Sequence, residues 1–261
     1  MNPTWKFTDL EFYALWFAEL GEALPWPFYF TTDVPTEEQF EALKSEALER
    51  VRRTLGGSFD DAMAAIVDPD VWIAVNGWDG REPRKPQTLL RVLAVRRATR
   101  GYLVTQLPGE TFWHAGGFTV TECDAVALGA AVVEVLPEID AGKLSDIVLA
   151  SPDRDDDMDY SFGRSAVHDS FDDSVAERAE RFLETPTPSI GSIDIVQGRS
   201  RFGPRGVTRH RLVWHDLDED GRYAIDEQSP PVAVAADKKR LTAMVNTRIA
   251  AIVRAIKDER V

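Results

Sequence analysis

The chain has 261 residues, of which 44% are hydrophobic and 28% are charged, and its formal net charge is −14. A chain of this length and composition can bury a sizeable core, so a largely disordered protein is excluded. The acidic balance opposes general binding of nucleic acid, because phosphate backbones repel a negative protein.

Hydrophobic periodicity and turn residues divide the first half of the chain into short helices and strands. Thr36 followed by Gln39 is a capping-box pattern, and Gly56 ends the helix that it opens. Asp9 is predicted to cap an earlier helix, which Gly21 ends. In chain order, the pattern predicts a strand at 5–8, a helix at 9–20, an edge segment at 25–30, helices at 36–55 and 60–67, a strand at 71–78, a hairpin at 89–107, a strand at 111–115 and a helix at 121–136.

The second half begins with an apolar run at 139–150 that is compatible with a helix, followed by an acidic, turn-rich loop at 151–163. Asp172 is predicted to cap a helix that ends at Leu183, and a proline-rich connector then leads into a second sheet. Alternating apolar residues predict half-buried strands around 193–195 and 212–214. The C-terminal helix has a core-facing stripe made of Leu241, Val245, Ile249, Ile252 and Ile256.

The chain contains an internal repeat, because residues 89–136 resemble residues 209–256. In each copy a strand-like run reaches a polar turn, a tyrosine follows (Tyr102 or Tyr223), and an apolar stretch leads into a helix. Two similar halves predict an α+β fold with pseudo-twofold packing. We expect one domain with two intimately packed halves, at 1–137 and 138–261.

One segment matches the EF-hand calcium loop at every required position. The matching residues are Asp216, Asp218, Asp220, Gly221 and Glu227. The flanks oppose this interpretation, because 209–215 alternates like a strand and Pro230 interrupts the position of the second helix. The competing prediction is a β-hairpin that turns at residues 220–221. A calcium-binding module is therefore kept as the alternative function.

No motif of an enzyme is present in the sequence. The four histidines lack the spacing of metal ligands on a helix, and the adjacent triplet His168–Ser170 does not make a catalytic triad, which is assembled from distant segments. We expect no catalytic residues, no metal and no cofactor.

The single cysteine, Cys123, cannot form an internal disulfide, and its neighbours Glu122 and Asp124 are expected to raise its pKa and make it unreactive. No window approaches the roughly 20 apolar residues of a membrane helix. Residues 1–6 also lack the pattern of a signal peptide. These features predict a cytoplasmic protein in a reducing compartment.

Basic residues gather on the predicted strands of both halves, although the whole chain is acidic. They are Arg81, Arg84, Lys85, Arg91, Arg96, Arg97 and Arg100 in the first half and Arg199, Arg201, Arg205, Arg209 and Arg211 in the second. Two interpretations stay open: a solvated sheet face paired with acidic helices, or a surface that meets an acidic or mixed-charge partner.

Several segments of the chain resemble the EspG family of type VII (ESX) secretion-associated proteins. In the second half they are Gly198–Gly203, Val213–Asp216 and Asp220–Tyr223, followed by the amphipathic terminal helix. In the first half they are Leu15–Trp16, Pro25–Pro27, Gly56–Gly57 and the hairpin segment Arg100–Tyr102. The resemblance covers most of the chain.

The resemblance implies a central antiparallel sheet flanked by helical bundles, with pseudo-twofold symmetry. It also implies a cytosolic chaperone or adaptor of actinobacteria without catalytic residues or cofactors. Such a protein would bind the apolar tip of the PPE subunit in a PE–PPE heterodimer, keep it soluble and direct it to its own ESX system. Free of cargo, the protein is expected to be a monomer or a weak homodimer.

We predict that the partner docks on the second-half sheet and the helix that follows it. The predicted contact residues are Arg209, Arg211, Val213, Arg222 and Met244. Met244 is included because an adaptable thioether on a helix suits an apolar contact. Trp214, in contrast, is expected to be a core aromatic.

Overall fold

A computed structural model describes residues 2–149, 175–226 and 229–260. Its centre is one sheet of ten strands, in which every neighbouring pair of strands is antiparallel. The strands are β1 (Thr4–Phe7), β2 (Val71–Trp78), β3 (Leu90–Arg97), β4 (Arg100–Pro108), β5 (Ala115–Asp124), β6 (Ile147–Val148), β7 (Ser189–Gln197), β8 (Arg209–Asp216), β9 (Arg222–Asp226) and β10 (Val232–Ala235).

The strand order is β1-β5-β4-β3-β2-β7-β8-β9-β10-β6. Strands β2 to β5 form one meander and β7 to β10 form another, and the two meanders meet where β2 pairs with β7. The predicted second sheet is therefore a continuation of the first. Together with the helices around it, this sheet confirms the predicted α+β class.

Six α-helices are present in the described part of the chain. They are α1 (Asp9–Leu20), α2 (Glu37–Leu55), α3 (Asp60–Val67), α4 (Leu128–Glu134), α5 (Val175–Glu184) and α6 (Lys238–Asp258). None of them is long and apolar enough to span a membrane. Asp172, the predicted cap of α5, and the acidic loop at 151–163 lie outside the described residues.

The ends of the first two helices follow the expected capping chemistry, with two corrections. The N-cap of α1 is Thr8, whose hydroxyl accepts from the backbone N–H of Glu11 while the Glu11 carboxylate accepts from the Thr8 N–H. Asp9 instead lies in the first turn, where its charge favours the helix N-terminus. Thr36 caps α2 by accepting from the Gln39 N–H, but the reciprocal bond of the predicted capping box is absent among the described residues. Gly21 and Gly56 end α1 and α2 in the left-handed conformation.

The front face of the sheet, defined as the face that carries Ile73, Ile195 and Leu212, packs against α4 and α6. This is the largest apolar cluster, and it crosses the seam between β2 and β7. The predicted stripe of α6 contributes to it: Leu241, Val245, Ile249 and Ile252 are buried, and Ile256 packs at its margin. Burial of these side chains, each stabilising by about 1.5–3 kcal/mol, joins the two meanders.

In the described part of the chain, helices pack on the back face of the sheet at its two ends. At one end, α1 to α3 pack an aromatic-rich cluster onto β3, β4 and β5 through residues such as Phe12, Phe59 and Phe118. At the other end, Phe182 of α5 packs on Tyr223 of β9 and on β6 and β10. The part of β2, β7 and β8 between these two groups belongs to neither cluster, apart from margin contacts of Trp72.

Four predicted elements are wrong. Residues 121–124 are the end of strand β5, and α4 begins only at Leu128, because the β-branched Thr119–Thr121 run favours the strand that pairs with β4 and β1. Residues 111–115 turn before β5, and 139–150 contains the short strand β6 rather than a helix. The segment at 25–30 is not a strand.

Candidate partner-binding surface

The back face between α1–α3 and α5 belongs to neither of the two apolar clusters of the described residues, and we call it the central strip. Its small residues Ala74 and Ser192 are buried, whereas its arginines are exposed. Its side chains come from alternate positions of three adjacent strands, so they all point to the same side. The central strip consists of Ala74, Asn76, Ser192, Asp194, Arg209, Arg211 and Val213.

The floor of the central strip is polar. The Ser192 hydroxyl donates to an Asp194 carboxylate oxygen at 3.1 Å, and Arg211 Nε lies 3.4 Å from the other oxygen of Asp194. Arg209 and Arg211 are exposed, while Val213 is half-buried. An exposed pair of this kind contributes little to stability, roughly 0–1 kcal/mol, so its side chains are free to reorganise around a partner.

An apolar cavity of about 430 Å³ opens beside one end of the central strip. Its floor includes the buried Leu93 and Val95 of β3, and its lip includes Trp26, whose side chain is 48% exposed. Trp72 of β2 lines the cavity on the side of the strip. A concave apolar site with an exposed aromatic lip is suited to an inserted apolar side chain.

An aromatic cluster lies beside the other end of the strip, above Arg91 of β3. The Arg91 guanidinium carbon is 4.3 Å from the ring centroid of Tyr29 and 4.6 Å from that of Phe112, and Nη2 donates to the Phe112 carbonyl at 2.8 Å. Trp113 packs on both rings and is 54% exposed. Burial lowers the pKa of Arg91 from its ordinary value.

The wall formed by α5 meets the strip at His215 of β8. The His215 ring stacks on Phe182 with centroids 5.5 Å apart. Burial lowers the pKa of His215, and the nearby charge of Asp216 opposes that effect only in part. The neutral imidazole is thus the form that this contact favours.

We expect the contact between α5 and β8 to weaken as the pH falls. Because the pKa of His215 is lower in the folded than in the unfolded state, the unfolded state binds more protons between the folded pKa and about 6.5. Stability should therefore rise with pH across that window. Urea unfolding at pH 7.5 and pH 5.5 should show a smaller acid-induced loss for His215→Gln than for the wild type. Equal losses would contradict this.

Three of the five predicted contact residues share one surface. Arg209, Arg211 and Val213 all lie on the central strip. Met244 packs against the front-face core under α6, on the other side of the sheet. Arg222 is only 1% exposed and forms a buried ion pair with Asp216, so it is removed from the candidate surface.

The EF-hand interpretation is wrong, because strands β8 and β9 rather than helices flank the loop. The carboxylates of the motif are also engaged elsewhere: Asp216 pairs with Arg222, Asp218 with Arg81, and Asp220 accepts from the Tyr223 hydroxyl at 2.6 Å. Glu227 lies outside the described residues.

Neither metal nor thiol chemistry finds support in the described residues. Within residues 2–149, 175–226 and 229–260, no group of three His, Cys, Asp or Glu side chains is arranged to hold a metal. Cys123 is half-buried, and its pKa is raised by burial first and by the charges of Asp124 and Glu122 second. The predicted direction of this shift is confirmed.

The sequence does not reveal the aromatic cluster or the apolar cavity. Tyr29, Arg91 and Phe112 come from three separate segments, and only the fold brings them together. The sequence offers one signal for this site. Arg91 lies two residues before Leu93 on β3, so alternation places an arginine on the same buried face as Leu93.

Comparison with known proteins gives one family. The model of the EspG family matches residues 8–247. No curated protein sequence matches significantly. Among solved structures, the chain is similar to the Mycobacterium tuberculosis type VII secretion system chaperone EspG5, determined in complex with the PE25–PPE41 dimer. The identity is 11%, the TM-score is 0.45, and the match covers 95% of this chain and 96% of that chain.

Proposed function

Because this chain belongs to the EspG family, we propose that it is a cytoplasmic chaperone or adaptor of a type VII (ESX) secretion system that binds a PE–PPE heterodimer. The observation that carries the proposal is the family match over residues 8–247. In this role the protein acts by covering a surface and needs no catalytic residue.

The proposed cargo contact is the apolar tip of the PPE subunit. An exposed apolar tip is an aggregation hazard until a partner covers it, and the apolar cavity beside the central strip offers a place for such side chains. Arg209 and Arg211 would lie along the polar margin of the contact, where charges set specificity and the rate of association more than affinity. Covering the tip would also mark the pair for its own ESX system.

The proposed architecture behind this surface is a duplication with halves at 1–137 and 138–261. Two features support it: consecutive meanders meet at the β2–β7 seam, and the aligned tyrosines lie at matching places in β4 and β9. The helices α1–α3 and α5 would then be equivalent flanking groups, and the central strip would lie on the pseudo-twofold axis between them.

Co-expression with PE–PPE pairs from the same organism tests the function. Size-exclusion chromatography with light scattering should show a complex with one copy of each of the three subunits, formed by a pair that is poorly soluble alone. The same measurement on the free protein should give a monomer or a weak dimer. If every pair stays soluble and elutes separately, the cargo assignment fails.

Charge reversal on the central strip should weaken cargo capture without unfolding the protein. For Arg209→Glu/Arg211→Glu we expect a lower rate of association and at least a tenfold loss of affinity, with a nearly unchanged thermal midpoint, because both side chains are exposed. The matched control is Lys6→Glu/Arg254→Glu, which makes the same charge change at exposed positions on the front-face side. Equal binding by both variants, measured by biolayer interferometry, would rule out the strip as the contact.

A further inference from the structure

Arg91 is a buried charge without a counter-ion in the described part of the chain. Its side chain is 3% exposed, no carboxylate among residues 2–149, 175–226 and 229–260 pairs with it, and its Nε has no hydrogen-bond partner there. Its side-chain hydrogen bond, from Nη2, goes to a neutral acceptor, the Phe112 carbonyl. Burying a cation without a counter-ion costs desolvation free energy, and pairing it with a carboxylate would offset that cost.

The position of Arg91 places it beside the central strip. Arg91 is opposite Asn76 of β2, and Asn76 is opposite Ser192 of β7. With neighbouring strands about 4.8 Å apart, Arg91 lies roughly 10 Å from the middle of the strip. A partner chain that rests on the strip can therefore reach the edge of the aromatic cluster.

The cover above Arg91 is aromatic, and its outer part is exposed to solvent. The rings of Tyr29 and Phe112 hold the guanidinium by cation–π contacts. Trp113 and Trp26 extend the cluster outward, with ring centroids 5.2 Å and 6.3 Å from Tyr29. Exposed tryptophans around a buried arginine have the composition of an interface hot spot.

We propose that Arg91 is an anchor for an acidic side chain of the docked partner, presented on a segment whose neighbouring apolar side chains pack on Trp113 and Tyr29. This assignment rests on the proposed function for the identity of the partner. Arg91 Nε is closed off from solvent in the free protein, so docking has to move the Phe112 and Trp113 side chains aside. The partner's carboxylate then accepts from Arg91 Nε–H, which completes the hydrogen bonding of the guanidinium. The aromatic rings exclude water from the pair and so strengthen it.

Binding of the captured PE–PPE pair should depend on the Nε–H group and not on charge alone. We expect Arg91→Met to lower affinity about thirtyfold or more. Arg91→Lys keeps the charge between the rings without the planar donor, and it should give an intermediate loss. The matched control is Arg254→Met, which makes the same change at an exposed position of α6. If both Arg91 variants are folded and bind like the wild type, the anchor is overturned while the chaperone function stands.

A second measurement uses the protein alone and does not depend on the cargo. The Arg91 Nε–Hε signal, identified by its loss in Arg91→Met, is followed by NMR while acetyl-Leu-Asp-Leu-amide is added at millimolar concentration. We expect a saturable shift with this peptide and none with its Asn twin. If wild-type protein captures no PE–PPE pair, the proposed function fails, and this titration decides the anchor by itself. No shift, or the same shift with both peptides, overturns it.

Discussion

Replacing Arg222 by methionine is expected to lower the free energy of unfolding by about 3–5 kcal/mol. Arg222 donates to both carboxylate oxygens of Asp216, at 2.6 Å and 2.8 Å, and also to the Pro137 carbonyl at 2.8 Å. Its loss leaves the Asp216 carboxylate buried without a cation, and this desolvated charge is the main source of the destabilisation. Urea unfolding followed by tryptophan fluorescence measures the change.

The control lies on the neighbouring loop. Arg81→Met breaks an ion pair with Asp218 in which both side chains are about half exposed, and we expect a change below about 1 kcal/mol. Removing both buried charges, in Asp216→Leu/Arg222→Met, should recover part of the loss because no unpaired charge remains. Equal stability of the two single Arg→Met variants would show that the buried pair contributes nothing.

Truncating Trp214 to alanine should cost about 3–5 kcal/mol, because its ring fills the front-face core at the seam of the sheet. Trp214 is 1% exposed, and its indole N–H donates to the Ser189 hydroxyl at 3.1 Å. The ring lies over Gly77 and Gly191, which face each other across the seam, and a Cβ on either glycine would collide with it. Guanidinium unfolding with detection by far-ultraviolet circular dichroism gives the value.

The matched control for Trp214→Ala is Trp26→Ala, because Trp26 is 48% exposed at the lip of the apolar cavity. We expect this change to affect stability by less than about 1 kcal/mol. Gly191→Val should destabilise the protein as Trp214→Ala does, because the added side chain collides with the same ring and with the Asn76 carbonyl oxygen of β2. A stable Gly191→Val variant would show that the ring has room to move.

The sequence predicted the bounds of a helix or strand correctly where a single hydrophobic period runs through the whole element. The bounds of α3 and β2 match the prediction because each has a clear period and a clear stop, such as Asp68 before Pro69. The stretch from Thr121 to Leu136 failed because its apolar residues fit a helix as well as a strand. The pairing of β5 with both β1 and β4 decides that conflict, and tertiary pairing is not visible in a local window.

From the sequence, strand alternation could predict only which residues of the candidate site share one face of a strand. Alternation correctly groups Arg209, Arg211 and Val213, which are two residues apart on β8. It does not say on which side of the sheet α6 packs, so Met244 was grouped with them although it lies on the front face. Arg222 was included as a surface charge, because only the pairing of β8 with β9 brings it onto Asp216 and buries both side chains.

The seam between β2 and β7 has a consequence for synthesis on the ribosome. Ile73 pairs with Ile195, roughly 120 residues later in the chain, while the pairs within each meander are local. The first meander can therefore form early, but β2 stays an unpaired edge until β7 emerges. With Val71, Ile73 and Val75 along it, this edge is a template for aggregation. Nascent chains that stall before β7 should be substrates for general chaperones.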